Sequence, residues 1–472
     1  MKIQWISICS IVGAVFFSCN IIATEEFLSW KKKNNESFQS YKSEERAAFR
    51  QALNSEWESF KLIQPKNLYS EPKIDTVPVA PLKSEPLINM PKKNEPDITV
   101  PMDTPKLQPE KTKKSNQIEI NYLTRQFRLP EFNPRYLPLS VGKTNITSAW
   151  ESLYPDLETL VKTIFESAEL SDLSDWALIS LLNEYALEVN NYDSNGSRFM
   201  LWGMLIELGF DARLAYDDIN LYLLLPSQQK IYGKSSIKID DVNYYIFIGE
   251  LPNNPIYTYI ASQPSQKRFD FSFSDKQPIR GLIPEKRTLS DSHTGLDVSY
   301  LIYPQLEDYY RNHPSLDFIW YFRVSLKDDY YLTLIDNLKN KLNNYPVTTQ
   351  VKMLLSLIQH GFEYELDNDQ WGEEYYSTPM HTLMLKAADC EDRSFLFSYL
   401  VEQVVGIDTV GLKYPGHLAV AVALDESETD NGADHVSVNG RKFFIADPTY
   451  IGATIGETMP MFKNVIPMII TD

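Results

Sequence analysis

Residues 387–403 read AADCEDRSFLFSYLVEQ, and Cys390 within them is the single cysteine beyond residue 19. The thiol sits just before a helical run, Asp392 to about Val404, in which Phe395, Phe397 and Leu400 supply an apolar face. A sulfur placed at a helix N-terminus feels the positive end of the helix dipole. That matters because the thiolate, not the thiol, is the nucleophile. Free cysteine can equally be an inert small hydrophobe. Two polar residues downstream argue against the inert reading. His417 opens an alternating run, HLAVAVAL, after the turn signal Pro415-Gly416, and Asp447 closes FFIAD just before Pro448. Proline keeps the preceding residue extended. Antiparallel pairing of these runs centred on Gly432 would bring His417 and Asp447 face to face, where a carboxylate fixes the imidazole tautomer. Asn439-Gly440 is a competing hairpin signal that admits an extra short strand. Glu391 and Asp392 oppose thiolate formation and are read as structural acids of the first turn.

The block DCEDRSFLFSYLVEQ, the Pro-Gly-His heading a strand and the later DPTY together resemble the transglutaminase-like superfamily in its bacterial form, over about residues 345–455. The resemblance implies an α+β fold with a papain-like, transglutaminase-like core, a cysteine-bearing helix packed on an antiparallel sheet. It implies Cys390 as nucleophile, His417 as general base and acid, and Asp447 as its orienter, acting on a protein or peptide amide. Superfamily members include cross-linking acyl transferases, deamidases, peptidases and inactive forms, so a non-catalytic envelope scaffold is the competing expectation. Gln370 and Trp371, in DNDQWGEE, are candidate oxyanion donors.

An earlier stretch runs in the same order. YDSNGSRFMLWGMLIELGFDARLAY (192–216) aligns with ADCEDRSFLFSYLVEQVVGIDTVGLKY (388–414) if one residue is inserted near Val404-Val405. Asp193-Ser194 then falls on Asp389-Cys390 and Gly209 on Gly406, with Asn220 near His417 and Ile248 near Asp447. This predicts a duplicated domain whose first copy, about 116–275, has lost its reactive groups. Residues 276–344 would connect it to the second copy, 345–472.

The front of the chain is different in kind. Residues 1–23 read as an export signal, with Met1-Lys2 followed by an apolar stretch too short for a stable spanning helix. Cleavage after Ala23 is favoured over lipid attachment at Cys19, because Phe16 and Phe17 fit a lipoprotein pattern poorly. The expected location is periplasmic or extracellular, with membrane attachment only if Cys19 is lipidated. Residues 24–63 are expected to form one helix, with Phe27, Phe38, Phe49 and Phe60 spaced 11 apart on one face, a surface for its own domain or an envelope partner. Residues 64–115 hold ten of the 28 prolines (Pro65 through Pro109) and read as an extended spacer.

A formal charge of −18 and the lack of a basic, aromatic-interleaved patch disfavour nucleic-acid binding. The six histidines show no ligand spacing, so no metal and no other cofactor is expected. An exported chain with one lone thiol must bury it or use it.

Overall fold

The computed structural model describes residues 42–66, 73–81, 117–123, 125–133, 141–167, 170, 173–248, 251–252, 255–264, 266–273, 282–324 and 329–471. Two compact units are formed, Met1–Trp57 with Tyr259–Pro264, and Glu58–Thr258 with Ser265–Asp472. Expectations for the signal, Cys19, Phe27 and Phe38 lie outside the described residues. Among the described residues no helix is long and apolar enough to cross a membrane.

In the first unit a helix over 42–54 buries Phe49, Ala52 and Leu53, and Phe49 and Trp57 close on the ring of Tyr259 at 6.4 and 5.4 Å. The helix expected to run to residue 63 stops early. Asn54 and Ser55 turn their side chains back onto the carbonyls of Arg50 and Ala52, a local alternative to helix propagation. Trp57–Phe60 is a strand, so Phe60 leaves the 11-residue stripe.

The second unit is α+β; the first sheet is antiparallel from Ile256–Tyr259 through Ser236–Ile239, and the second is antiparallel across all its pairs. Helices Lys143–Ser167, Asp175–Val189 and Ser194–Glu207 precede the first sheet. The second of these helices is capped by Ser174, whose hydroxyl accepts from the Ala177 amide. The strands Ser236–Ile239, Val242–Ile246, Leu221–Pro226, Arg213–Tyr216 and Ile256–Tyr259 lie side by side in that order, with Trp57–Phe60 at the edge. A hairpin, Glu285–Asp291 with Leu296–Ile302, and helices Asp329–Leu342 and Val347–Gly361 follow.

The second sheet repeats the arrangement. Its order is His435–Val438, Arg441–Ala446, His417–Val422, Thr409–Tyr414 and Met468–Ile470, preceded by the helix Cys390–Leu400. Asn439 and Gly440 both have positive φ (50° and 80°), as the two-residue hairpin turn there requires, so the competing short strand does form. Both preceding helices start after an aspartate, Asp193 and Asp389, and both end at a left-handed glycine, Gly209 and Gly406. The one extra residue of the second is absorbed by a π turn, Val401–Val405.

The Cys390–Leu400 helix is buried on every side, not on one stripe. Phe395 packs among Phe318, Tyr321 and Phe322 at ring separations of 5.7, 4.9 and 5.0 Å, burial worth about 2–3 kcal/mol for such a side chain. Enclosure on this scale forces Glu391, Asp392 and Arg393 to find partners inside the protein.

The proline-rich stretch is docked where it is described. Ile63 exchanges backbone hydrogen bonds with Ser236, and the Gly233 amide donates to the Lys66 carbonyl. Further on, Ala80 N donates to Ile451 O at 2.8 Å and Ile451 N donates to Pro78 O at 2.9 Å. Proline lacks only a donor, so its carbonyl and its non-proline neighbours still pair. The expectation of a free spacer across 64–115 is corrected for 64–66 and 73–81.

Candidate active site

His417 and Asp447 meet as the sequence predicts. Nε2 of His417 lies 2.8 Å from Oδ2 of Asp447, and both residues are buried. The pairing Val420↔Ala446 sets the register. Continued toward Asp447, it places Ala419 opposite that residue and His417 one diagonal step along the same face. The expected centre at Gly432 is thus shifted by one residue, and the side chains close the difference. Gly416, with φ 63°, makes the tight turn that starts the His417 strand. The imidazole stacks parallel to Phe462 (5.4 Å, 2°), which fixes the ring plane.

Asp447 is held from three sides. Its Oδ1 accepts from the amides of Thr449 and Tyr450 at 2.9 and 3.3 Å. Gln359 Nε2 donates to the carbonyls of Asp447, Tyr450 and Ala453, while its Oε1 accepts from Gly452 N. The carboxylate accepts at Nε2, so the proton sits there and Nδ1 is the basic nitrogen. That Nδ1 is buried with no hydrogen-bond partner.

Cys390 is 1% exposed at the first position of its helix. One turn on, Ser394 Oγ donates to Leu418 O at 3.0 Å, tying the helix to the residue after His417. The thiol does not bond to the imidazole; it donates to Glu391 Oε2 at 3.0 Å. Burial pushes the thiol well above its ordinary range, and the Glu391 and Asp389 carboxylates push it further. The lowered, thiolate-favouring site expected from the helix N-terminus is therefore not what the resting structure holds. Asp389 precedes the helix without capping it, and the first-turn acids are not solvated caps.

The acids serve a buried cation from the proline-rich stretch. Lys73 Nζ lies 2.9 Å from Asp367, 2.8 Å from Glu374 and 2.6 Å from Asp389, and also pairs with Glu391. Burial alone would lower the lysine; the Asp389, Glu391 and Asp367 charges outweigh it and hold the ammonium firmly protonated. One ammonium does not balance this many carboxylates. Burial and the Asp389 charge push Asp367 up to about 9 and Asp392 up to about 8. Arg393, fully buried, braces the segment below the thiol by donating to the carbonyls of Ala388, Gln359 and Phe362.

Gln370 ends the short helix Asp367–Gln370, and Trp371 caps it. The Trp371 ring lies against Tyr375 and beneath the Arg311 guanidinium, and its indole N–H is buried without an acceptor. Sequence reading missed Lys73, Gln359, Arg393 and Asp367. A buried lysine in a proline-rich stretch carries no local signature, and Gln359 looks like any residue of an amphipathic helix.

Among the described residues two clusters have metal-compatible side chains, Asp291/His293/His360 and Asp367/Asp389/Glu391. In the first, His360 Nδ1 also bonds to the Ser356 carbonyl at 2.9 Å, so that nitrogen carries a proton and is not a ligand. In the second, Lys73 stands where a cation would. A cavity of about 730 Å³ opens at the far end of the second sheet, around Gly406, Asn439 and Ile470, away from this chemistry.

No family model and no curated protein matches the chain.

Proposed function

We propose that the protein is an exported thiol acyl-transfer enzyme, held latent, that opens protein or peptide amides through Cys390, His417 and Asp447. The observation that carries the reading is the His417–Asp447 pair, with Nδ1 left as a buried base lacking a partner, beside a helix that begins at a thiol. A base oriented by a carboxylate is the arrangement that activates such a nucleophile. As the S–C bond forms at the amide carbonyl, Nδ1 takes the thiol proton; it returns that proton to the leaving nitrogen as the C–N bond breaks. Water, deprotonated at Nδ1, then attacks the thioester, and the sulfur leaves with the proton. The buried, acceptor-less indole N–H of Trp371 is a donor suited to the developing oxyanion, with Gln370 beside it. Hydrolysis is preferred over cross-linking because water is the abundant acceptor.

The matching strand orders of the two sheets support a transglutaminase-like, papain-like core present twice. Register places Leu221 where the second copy has His417, since Leu224 pairs with Ile246 as Val420 pairs with Ala446. Phe247 then stands at the Asp447 place. The sequence alignment had each of these one residue away, at Asn220 and Ile248. Ser194 in the first copy therefore has neither base nor orienting acid.

A second reading, an inactive shell used for binding, is favoured by one observation: the thiol is bonded to Glu391 and held protonated. A defined library of peptides containing glutamine and lysine, followed by mass spectrometry, separates the two. Deamidated, cleaved or cross-linked products that vanish in Cys390→Ser and His417→Ala support the enzyme. Products indifferent to both substitutions, or no product from protein with Lys73 replaced, would leave the inactive shell.

A further inference from the structure

We propose that residues 73–81 are an intramolecular competitor whose Lys73 fills an acidic subsite beside Cys390, and that this subsite takes the ammonium of a lysine-like substrate side chain once the segment withdraws. The inference rests on the reading of Cys390 as the reacting thiol, and it names the substrate class.

The carboxylates belong to the folded body. Asp367 starts a short helix, Glu374 lies in the following loop, Asp389 precedes the cysteine helix and Glu391 is in its first turn. The cation alone comes from a segment some 300 residues away in sequence. Side chains of Asp367, Asp389 and Glu391 are at most 2% exposed, so the subsite is built into the interior. Asp389 Oδ1 is also buried without a hydrogen-bond partner, leaving the site a further acceptor beyond those used by Lys73. An aggregate of buried carboxylates is costly when empty. Withdrawal of Lys73 therefore favours replacement by another cation of the same shape.

The segment has the means to withdraw. Besides Lys73, it is held by Tyr364 donating to Ile74 O (2.9 Å), the two backbone bonds to Ile451, and Ala80 seated in the core beside Tyr450 and Phe462. Val79 next to it is 69% exposed. These contacts straddle the site, from the acids around Cys390 to the loop that follows Asp447. A tethered group of this kind acts at an effective concentration on the order of mM, enough to exclude a weak substrate group.

The held ammonium is no nucleophile, because its proton is kept by the surrounding carboxylates. The subsite therefore recognises the acyl-bearing substrate and does not supply the attacking amine. Recognition would also help the chemistry, since a cation there offsets the acids that hold the thiol protonated, as Lys73 partly does.

The test is calorimetric titration of the full chain with Nα-acetyl-lysine amide and, as control, Nα-acetyl-norleucine amide. Lys73→Met should bind the lysine amide at least tenfold more tightly than wild type and show no binding of the norleucine amide. Adding Asp389→Asn to Lys73→Met should abolish the binding. Should Lys73→Met fail to fold, Ala80→Glu unseats the other end of the segment and should show the same gain. Equal binding of the two amides, no gain in the folded variant, or binding of calcium chloride without the lysine amide would overturn the proposal. Binding reads the subsite without turnover. A lysine amide that binds as expected to a protein with no Cys390-dependent products would count against the acyl-transfer reading and leave the subsite standing.

Discussion

The Cys390 thiol donates to Glu391 Oε2, 3.0 Å away, while the basic Nδ1 of His417 has no hydrogen-bond partner. The thiol and the imidazole lie on adjoining elements with no hydrogen bond joining them. Under the proposed acyl-transfer reading this is a site at rest. Burial and two acids hold the sulfur protonated, so arming it requires either a change of acid charge or a turn of the thiol toward His417.

Iodoacetamide labelling of Cys390 should accordingly be slow at neutral pH and rise only above about pH 9, the ordinary thiol range. Glu391→Gln removes the acid nearest the sulfur, itself pushed up by burial and Asp389, and the oxygen that accepts the thiol proton. It should move the labelling profile down by about one pH unit or more, read by intact mass across a pH series. A profile unmoved by the substitution would show that Glu391 does not set the thiol.

Asp392 predicts an unusual pH dependence of stability. Its folded pKa is raised to about 8, against roughly 3.9 when unfolded. Below about pH 4 both states are protonated and the stabilising contribution is complete. Between there and about pH 8 the unfolded chain releases a proton that the folded state keeps, so stability is lost as pH rises. Asp392→Asn, whose amide oxygen can still accept from Ser377 N, should match wild type at about pH 4 and below. Near pH 8.5 it should melt higher by roughly 2–4 °C. Thermal melts at the two pH values give the comparison.

Asp447→Asn keeps the size of the orienting side chain but not its charge. The amide can present N–H to Nε2 and reverse the tautomer, moving the proton to Nδ1. Turnover of any confirmed substrate should fall by about 10³-fold or more, with the melting temperature changed far less. An Asp447→Asn enzyme of near-wild-type rate would remove His417 from the chemistry.

Gln359 anchors the loop carrying Asp447 through three donated bonds and one accepted bond. Gln359→Leu leaves those buried carbonyls unsatisfied and should cost about 2–4 kcal/mol by denaturant unfolding. If the protein remains folded, the His417 ring should also lose its fixed partner, visible as a changed imidazole resonance by NMR.

Much of the local architecture was legible in residue order. Pro415-Gly416 announced the turn before His417, Asn439-Gly440 the hairpin, and Pro448 the extended end at Asp447. Even the one-residue insertion near Val404-Val405 corresponds to a π turn. Each of these follows from backbone preferences that act over a few residues. The errors arose where distant contacts decide. Periodicity carried a helix on to residue 63, but Trp57–Phe60 joined a sheet. Composition made 64–115 a spacer, but within 64–66 and 73–81 the carbonyls of Lys66, Ile74 and Pro78 and the amide of Ala80 found partners on the folded body.

The sequence by itself determined which reactive groups exist, their order, and the elements that carry them: a thiol at a helix start, an imidazole and a carboxylate at strand ends. Only the tertiary structure decided their state. The protonation of Cys390 depends on burial and on Glu391, Asp389 and Lys73 through space, in a desolvated interior where each charge acts strongly. No local rule links Lys73 to Asp389 across 316 positions, so the fold alone sets the protonation of the thiol.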